Sequence, residues 1–375
     1  MQRSISWLLT IILSAVVFFS AGITAHAEAP AEYDYGRDRL AEAVPPEAAE
    51  ALDEAEITPD NGGAASLSIE GVLSYLWGLV INNAAAPLRL FISLCGIILL
   101  CAISSAAADN GSERLSGLFS TVGVLAGAGM TVAALSDILD RTLELLSAAS
   151  VFITAFIPVF AGILAVMGRS ATASAVNTVT LAATQLFSQL AVNFLAPLSG
   201  AIMGLSIAGA VHPELNLSKL GEAIKKIVVW ILGFLMTIFM SILSVQTAVT
   251  GSADSVLIKT AKFAVSSGVP IVGGTISDAV STMHGSLSII RSSVGTYGMT
   301  AAAVIILPTL VTVICYRAAV ICAEVVSDIF GVKELSSLLK SCGAVMSIMM
   351  AVIVCFLLLN TIAVVIMLAI GSGTA

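Results

Sequence analysis

Long, uninterrupted runs of apolar residues constrain this chain more than any other feature. They recur from residue 86 to residue 370; hydrophobic residues make up 58% of the chain and charged residues only 11%. A helix needs about 20 apolar residues to cross the hydrocarbon core of a membrane, and only helices or closed barrels satisfy their backbone polar groups in lipid. The runs are continuous and do not alternate with polar residues, which favours helices over a barrel. The sequence therefore predicts an all-α, polytopic transmembrane helical bundle.

The positions of these runs predict seven or eight membrane spans. Residues 86–250 hold five to six of them, because Ala196-Pro197 fits either a loop between two short spans or a kink in one long helix. Residues 298–370 hold two more, joined by a cytoplasmic linker from Glu324 to Lys340. The predicted spans lie near residues 86–108, 115–136, 147–168, 173–192, 194–211, 227–250, 298–323 and 343–370.

Residues 1–27 are predicted to be a secretory signal peptide. Arg3 precedes an apolar run from Ile5 to Phe19, and Ala25-His26-Ala27 has the form of a cleavage site. An uncleaved signal anchor is the alternative, and both interpretations place residue 28 onward on the extracytoplasmic side.

Residues 28–66 are predicted to be an acidic, disordered extracytoplasmic arm. Between residues 28 and 70 the chain has twelve acidic residues and two basic ones, and high charge with low hydrophobicity favours disorder. A short helix around residues 37–56 is compatible with the sequence. Residues 67–85 are predicted to be an amphipathic helix at the membrane interface.

No basic face is present, which argues against nucleic acid as a partner.

Positive charges predict which side of the membrane each loop faces. With residue 28 outside, the predicted cytoplasmic loops hold more Lys and Arg than the outer loops, in agreement with the positive-inside rule. The cytoplasmic set is Arg114, Arg169, Lys219, Lys225, Lys226, Lys333 and Lys340, and the outer set is Arg141, Lys259, Lys262 and Arg291.

The predicted span 173–192 is unusually polar. Gln185, Gln189 and Asn193 are four residues apart, so they share one face of a helix, and Asn177 lies earlier in the same span. In lipid these side chains must face protein or water. They are therefore candidates for the lining of a polar cavity, and hydrogen bonding between helices is the alternative.

Arg317 is a candidate intramembrane charge. An arginine in the middle of a membrane costs roughly 2.5–3.5 kcal/mol on insertion scales and needs a partner. Glu324 lies seven residues further along the same helical face, so the two form a candidate pair. Packing of Arg317 against polar groups of another helix is the alternative.

Residues 251–297 are predicted to form a helical hairpin. Gly268, Pro270, Gly273 and Gly274 break the helical pattern, and an amphipathic helix follows them. The hairpin is either extracytoplasmic, lying on the membrane surface, or re-entrant, lining a cavity.

The sequence lacks the motifs of an enzyme. It has no HExxH, GxSxG or Walker A motif and only three histidines. The six cysteines lie in apolar runs without a CxxC pair, so they are predicted to be reduced, buried, small hydrophobes. We therefore predict no catalytic site, no metal and no cofactor.

Several stretches of the body carry a family resemblance. They include Ile157-Pro-Val-Phe-Ala-Gly-Ile163, the segment Leu217 to Thr250, Lys259-Thr-Ala-Lys-Phe-Ala264, and Val269-Pro-Ile-Val-Gly-Gly-Thr-Ile-Ser-Asp-Ala279. With them, the chain from about residue 67 to residue 370 resembles the stage III sporulation protein AE family of endospore-forming bacteria.

The resemblance implies a role in sporulation. Members of this family are made in the mother cell and sit in the membrane around the engulfed forespore. They belong to a secretion-like channel complex that joins the two cells and is needed for late forespore gene expression. The implied partners are the other proteins of that complex and membrane lipid. A homo-oligomer of the chain is compatible with the sequence. The resemblance supplies no catalytic or ligand-binding residues.

Two other functions stay open. A stand-alone transporter of small solutes predicts paired broken helices in two related halves, but the breaks at Pro158, Pro197 and residues 268–274 do not fall in matching positions. A passive membrane scaffold predicts that assembly and sporulation survive apolar replacement of Gln185 and Gln189.

Overall fold

The computed structural model describes residues 36–61, 69–108, 113–211, 218–268 and 273–371, and every regular element among them is helical. The all-α prediction is therefore confirmed for this part of the chain, and the predicted signal peptide lies outside it. The helices are α1 Arg37–Glu42, α2 Pro46–Glu54, α3 Ile69–Asn83, α4 Ala85–Ala108, α5 Glu113–Val166, α6 Ser170–Leu190, α7 Ala196–Val211, α8 Ser218–Gly268, α9 Gly273–Ile329 and α10 Lys333–Gly371, with a π-helical turn Ala191–Leu195 between α6 and α7.

The described residues contain six stretches long and apolar enough to cross a membrane, whereas the sequence predicted seven or eight spans. Residues 86–250 hold four of them instead of five to six. The six are Ala85–Ser104, Thr121–Val166, Ser170–Gly209, Leu220–Leu257, Gly285–Ile329 and Lys333–Ala369.

The first difference lies in α5, which is one helix where a loop was predicted between residues 136 and 147. The charged residues there do not interrupt the helix. Asp137 and Arg141 lie four residues apart on its exposed face and form an ion pair of 3.1 Å, a spacing that supports a helix. The predicted separation between the spans 115–136 and 147–168 is therefore wrong, because one helix runs through it.

The second difference lies between α6 and α7. The ambiguity at Ala196-Pro197 resolves as a kink, because the π-helical turn joins the two helices without a loop. Pro197 stands in the first turn of α7, where the missing N–H donor is tolerated. The two helices together form one apolar stretch, Ser170–Gly209.

The acidic arm differs from its prediction where the structure describes it. Residues 36–61 were expected to be disordered, with a helix around residues 37–56 left open; they form α1, α2 and a turn. Apolar residues between the acidic ones form a buried stripe, which the average composition of the arm hides. Ser293 of α9 donates a hydrogen bond to the carbonyl of Pro59 at 2.8 Å. The stripe consists of Leu40, Val44, Ala48, Leu52 and Ile57.

α3 confirms the helix predicted for residues 67–85, and its position at the membrane interface stays a prediction. Leu73, Trp77 and Ile81, four residues apart, form one exposed apolar face.

Glycines lie at close contacts between the long helices. Phe152, Phe156 and Phe160 of α5 are fully buried and follow one another with ring centroids 5.9 and 5.6 Å apart. Gly298 of α9 lies against Phe156, and Gly295 lies against Phe160 and Leu368. Small residues let membrane helices approach closely.

We expect Gly298→Ala to destabilise the bundle. The added Cβ would overlap the ring of Phe156, and overpacking a core costs about 1–3 kcal/mol. Gly162→Ala is the matched control, because a Cβ at Gly162 meets nothing within 4 Å. Thermal unfolding of the two variants in detergent measures the difference, and equal melting temperatures would rule out this tight contact.

Candidate functional site

One end of the bundle is marked by charged residues that lie at the same level. Asp254 of α8 is fully buried, and its carboxylate accepts hydrogen bonds from the N–H groups of Ala171 and Thr172 at 3.1 and 2.9 Å. Arg169 precedes these residues and lies within electrostatic range of Arg291 of α9. Because the acidic arm packs on α9 near here, we call this the arm end.

Asp254 therefore caps α6 from another helix. The first N–H groups of a helix have no partner within it, and a carboxylate also interacts favourably with the positive end of the helix dipole. Arg169, at the N-cap position, makes no side-chain cap. The contact fixes the register between α6 and α8 across more than 80 residues of sequence.

The opposite end of the bundle carries a second set of charges. Lys225 of α8 lies within electrostatic range of Arg317, and Lys340 of α10 pairs with Glu324 at 3.8 Å. The short turn between α9 and α10 lies here, with Gly331 in the left-handed region at φ 74°, so we call this the turn end.

Between the two ends lies a layer without charged residues. Residues 145–168, 227–253 and 292–316 contain no Asp, Glu, Lys or Arg. At 1.5 Å per residue these segments are about 36, 40 and 37 Å long, which fits a bilayer with a hydrocarbon core of about 30 Å. We call this part of the bundle the charge-free layer.

α4 is shifted along the bundle relative to this layer. Cys95 in its middle lies within electrostatic range of Cys322, beyond Arg317 toward the turn end. Cys101 lies against Gly123 in the first half of α5. α4 is nevertheless long and apolar enough to span a membrane.

Within the charge-free layer, α6 and α8 hold a group of buried polar atoms that make no hydrogen bond to any described residue. The described residues have nine such atoms in all. Seven are oxygens, six of them on α6 and α8, and the other two are the Nε and Nη1 nitrogens of Arg291. The oxygens belong to Thr172, Asn177, Thr180 and Thr184 on α6, to Gln246 and Thr247 on α8, and to Asn360 on α10. We call these seven residues the polar seam.

The threonines of the seam are unusual in this molecule. A threonine in a helix commonly donates its hydroxyl to the carbonyl four residues earlier. Thr178 and Thr250, one on each of the same two helices, do so at 2.9 and 2.7 Å. The hydroxyls of Thr180 and Thr247 do not, so they keep both a donor and an acceptor for other groups.

The register set by Asp254 places the seam residues at matching depths. Counting along both helices from this contact, Gln246 and Thr247 are level with residues between Asn177 and Thr180. A second contact gives the same register, because a Cβ at Gly221 would lie 3.4 Å from Ile202 and 3.8 Å from Ser341 of α10. It places Asn360 near the level of Thr184.

The seam covers only half of the charge-free layer. It extends from Thr172 at the arm end to Thr184, about 18 Å at 1.5 Å per residue. Toward the turn end, the buried residues of α6, the π-helical turn and α8 are apolar: Phe187, Ala191, Leu195, Leu232 and Phe239. Ser199 and Ser206 of α7 are buried further on. The unpaired polar groups are therefore confined to the arm-end half of the layer, and we call the other half the apolar half.

The chemistry of the seam is that of neutral oxygens. An unpaired buried hydroxyl or amide costs about 1–3 kcal/mol, and water bridges such groups where a site is polar and roomy enough. Hydroxyl and amide groups can hold water or a polar solute, but they cannot relay protons by ionising. Among the described residues, no group of three or more His, Cys, Asp or Glu side chains could hold a metal.

The residues predicted as a cavity lining divide between two faces. Asn177 belongs to the seam, whereas Gln185, Gln189 and Asn193 are exposed on the outside of the bundle. The last three share one face, since the amide of Asn193 donates to Gln189 at 3.0 Å. They do not line a cavity inside a single chain.

The predicted pair of Arg317 and Glu324 does not form. Glu324 pairs with Lys340 instead, and Arg317 makes no hydrogen bond or ion pair with any described residue. Two turns of helix keep Arg317 and Glu324 about 10 Å apart.

The predicted hairpin break coincides with the ends of two helices. Gly268 ends α8, and Gly273 and Gly274 begin α9, while Pro270 lies outside the described residues. Both helices run on from the break into the charge-free layer. The side of the membrane that the hairpin occupies stays a prediction.

The six cysteines are free, but they are not all buried as predicted. Cys101 and Cys342 are buried, and Cys322 is exposed. Cys322 lies near the turn end, within electrostatic range of Cys95 of α4.

Sequence reasoning missed most of the seam and the cap. Thr172, Thr180 and Thr184 recur at intervals of four and eight residues, which is a helical signal, but single threonines seldom stand out in an apolar run. Asp254 lies in the segment predicted as a helical hairpin, and its role as a cap of another helix depends on the tertiary fold.

The long apolar helices, the charge-free layer and the charged residues at its two ends define a multi-pass α-helical membrane protein. The family described as Stage III sporulation protein AE matches residues 56–371, so the chain belongs to this family. A stretch of 148 residues is 28% identical to the Stage III sporulation protein AE of Bacillus subtilis (strain 168), covering 40% of this chain and 37% of that protein. No solved structure matches the chain.

Proposed function

We propose that this protein is a non-enzymatic integral membrane subunit of a sporulation-specific, secretion-like channel complex that links mother cell and forespore. Its work is needed for late forespore gene expression. Membership of the Stage III sporulation protein AE family supports the role in sporulation, and the six apolar helices support a place in the membrane. Its partners are the other proteins of that complex and membrane lipid.

The observation that carries a channel role beyond the family is the polar seam. A protein that only anchors its partners gains nothing from unpaired hydroxyl and amide groups inside a bilayer, each of which costs free energy. A wet half-passage leading in from the arm end explains why such groups are kept. The apolar half then acts as a barrier that opens within the assembled complex.

The arm end is the extracytoplasmic end in this proposal. The arm follows the predicted signal peptide and packs at this end. The turn end, which is cytoplasmic, holds Lys219, Lys225, Lys226, Arg317, Lys333 and Lys340, in keeping with the positive-inside rule. In this proposal Arg169 is extracytoplasmic, like Arg291, and Arg141, which lies near Tyr316 at the turn end, is cytoplasmic; the sequence predicted the opposite side for both Arg169 and Arg141.

Deleting the gene in a sporulating host tests the proposal directly. We expect spore yield and late forespore transcription to collapse, and a copy of the gene expressed in the mother cell to restore both. Normal spores from the deletion strain would remove the role in sporulation. Rescue by expression in the forespore alone would overturn the mother-cell location.

A further inference from the structure

The outer face of α6 carries three amide side chains that no described part of the chain covers. Gln185, Gln189 and Asn193 are exposed, and the single hydrogen bond among them runs from Asn193 to Gln189. We call these residues the amide ladder. They leave several N–H donors and C=O acceptors directed away from the bundle.

The amide ladder lies deep in the charge-free layer. Counting from the Asp254 contact, Gln185 is level with Met240, about 20 Å from the arm end. That is near the middle of the layer. Lipid chains offer no hydrogen-bond partners there, so exposed amides must be covered by protein or water.

The same face continues along α7 with small residues. Gly200 and Gly204 are exposed, and a Cβ at either position meets nothing within 4 Å. Glycines four residues apart let the backbone of a second membrane helix approach closely, and amide side chains then bond between the helices. The ladder and the glycines follow one another along the exposed face of α6 and α7, and the same register places the glycines at the turn end, level with about Lys225 and Gly221.

We propose that this stripe binds the same stripe of a second copy of the chain. Copies inserted with the same topology are related by a two-fold axis normal to the membrane, so residues beside the axis meet their own counterparts. Such residues must be self-complementary. Glutamine and asparagine meet this condition because each amide both donates and accepts, whereas a charged residue would repel its copy.

A disulfide cross-link tests the proposal in membranes. In a chain whose six native cysteines are replaced by alanine, oxidised Gln189→Cys is expected to give a covalent dimer. Ile238→Cys on α8 is the matched control, because it is exposed at 43% and lies at nearly the same depth on another face; we expect it to stay monomeric. The result should hold when the protein is diluted in lipid.

Three outcomes would overturn the proposal. They are no dimer from Gln189→Cys, equal cross-linking of both variants, and a cross-link that forms only with a different subunit of the sporulation complex. The last outcome would assign the stripe to another protein. Because the measurement needs no sporulation, its failure is distinct from the failure of the proposed function.

A second measurement follows the dimer without cysteines. Gly200→Leu is expected to raise the dissociation constant of the dimer at least about tenfold, which corresponds to 1.4 kcal/mol. Gly233→Leu on α8 is the control, because a Cβ at Gly233 also meets nothing within 4 Å. The mass of the particle in detergent, measured across a dilution series, reports both. Equal dissociation of the two variants would contradict the assigned face.

Discussion

Asp254→Ala is expected to cost about 2–4 kcal/mol of folding free energy. The substitution removes a fully buried carboxylate that accepts two backbone hydrogen bonds. A hydrogen bond to a charged group is worth about 1.5–3 kcal/mol, and loss of a helix cap costs about 0.5–2 kcal/mol. The effect should appear as a lower denaturant midpoint in detergent.

Two variants separate the cap from a general effect of charge. Asp254→Asn keeps one oxygen as an acceptor and loses the charge, so we expect about half of the loss. Asp137→Ala removes an acid whose ion pair with Arg141 is exposed, and such pairs contribute about 0.5 kcal/mol. If Asp254→Ala were no worse than Asp137→Ala, the cap could not hold α8 and α6 in register.

The double variant Thr180→Val, Gln246→Leu is expected to abolish sporulation while the protein folds normally. Both replacements are close in size to the native residues, and removing buried unpaired polar groups is neutral or stabilising by up to about 1 kcal/mol. A wet seam, however, would lose the groups that hold its water. We therefore expect the spore count to fall while the melting temperature stays the same or rises.

Thr178→Val is the control for this experiment. Thr178 is on the same helix but exposed, and its hydroxyl already bonds the carbonyl of Ser174 at 2.9 Å. We expect it to sporulate as the wild type does. Normal sporulation by the double variant would indicate a passive scaffold, because such a protein needs helices that pack and not a polar passage.

Much of the fold could be predicted from the sequence, because apolar runs in a membrane protein leave few choices. Helices, the bend at Pro197 and the break at Gly268 to Gly273 all follow from local chemistry. The number of spans did not, because a charged turn and a charged helical segment look alike. Only the pair of Asp137 and Arg141 at helical spacing distinguishes them.

The candidate site was harder to predict because it depends on which face of each helix meets a neighbour. The spacing of Gln185, Gln189 and Asn193 gave their common face but not its direction, which is outward. Asn177 points in another direction, because it lies eight residues before Gln185 and eight residues turn a helix about a quarter turn beyond two full turns. The buried stripe of the arm was hidden for a related reason, since acidic neighbours dominate its average composition.

The accessibility of cysteines placed in the seam tests the central claim, that the α6–α8 seam is hydrated inside the membrane. In the chain without native cysteines, Thr180→Cys and Gln246→Cys should react with a water-soluble methanethiosulfonate reagent added at the arm end. Ile353→Cys, fully buried between apolar neighbours in α10, should not react, and Ser252→Cys, exposed at the arm end, should react fastest. If both seam cysteines stayed unmodified in folded protein while Ser252→Cys reacted, the seam would be dry and the proposed passage would not exist.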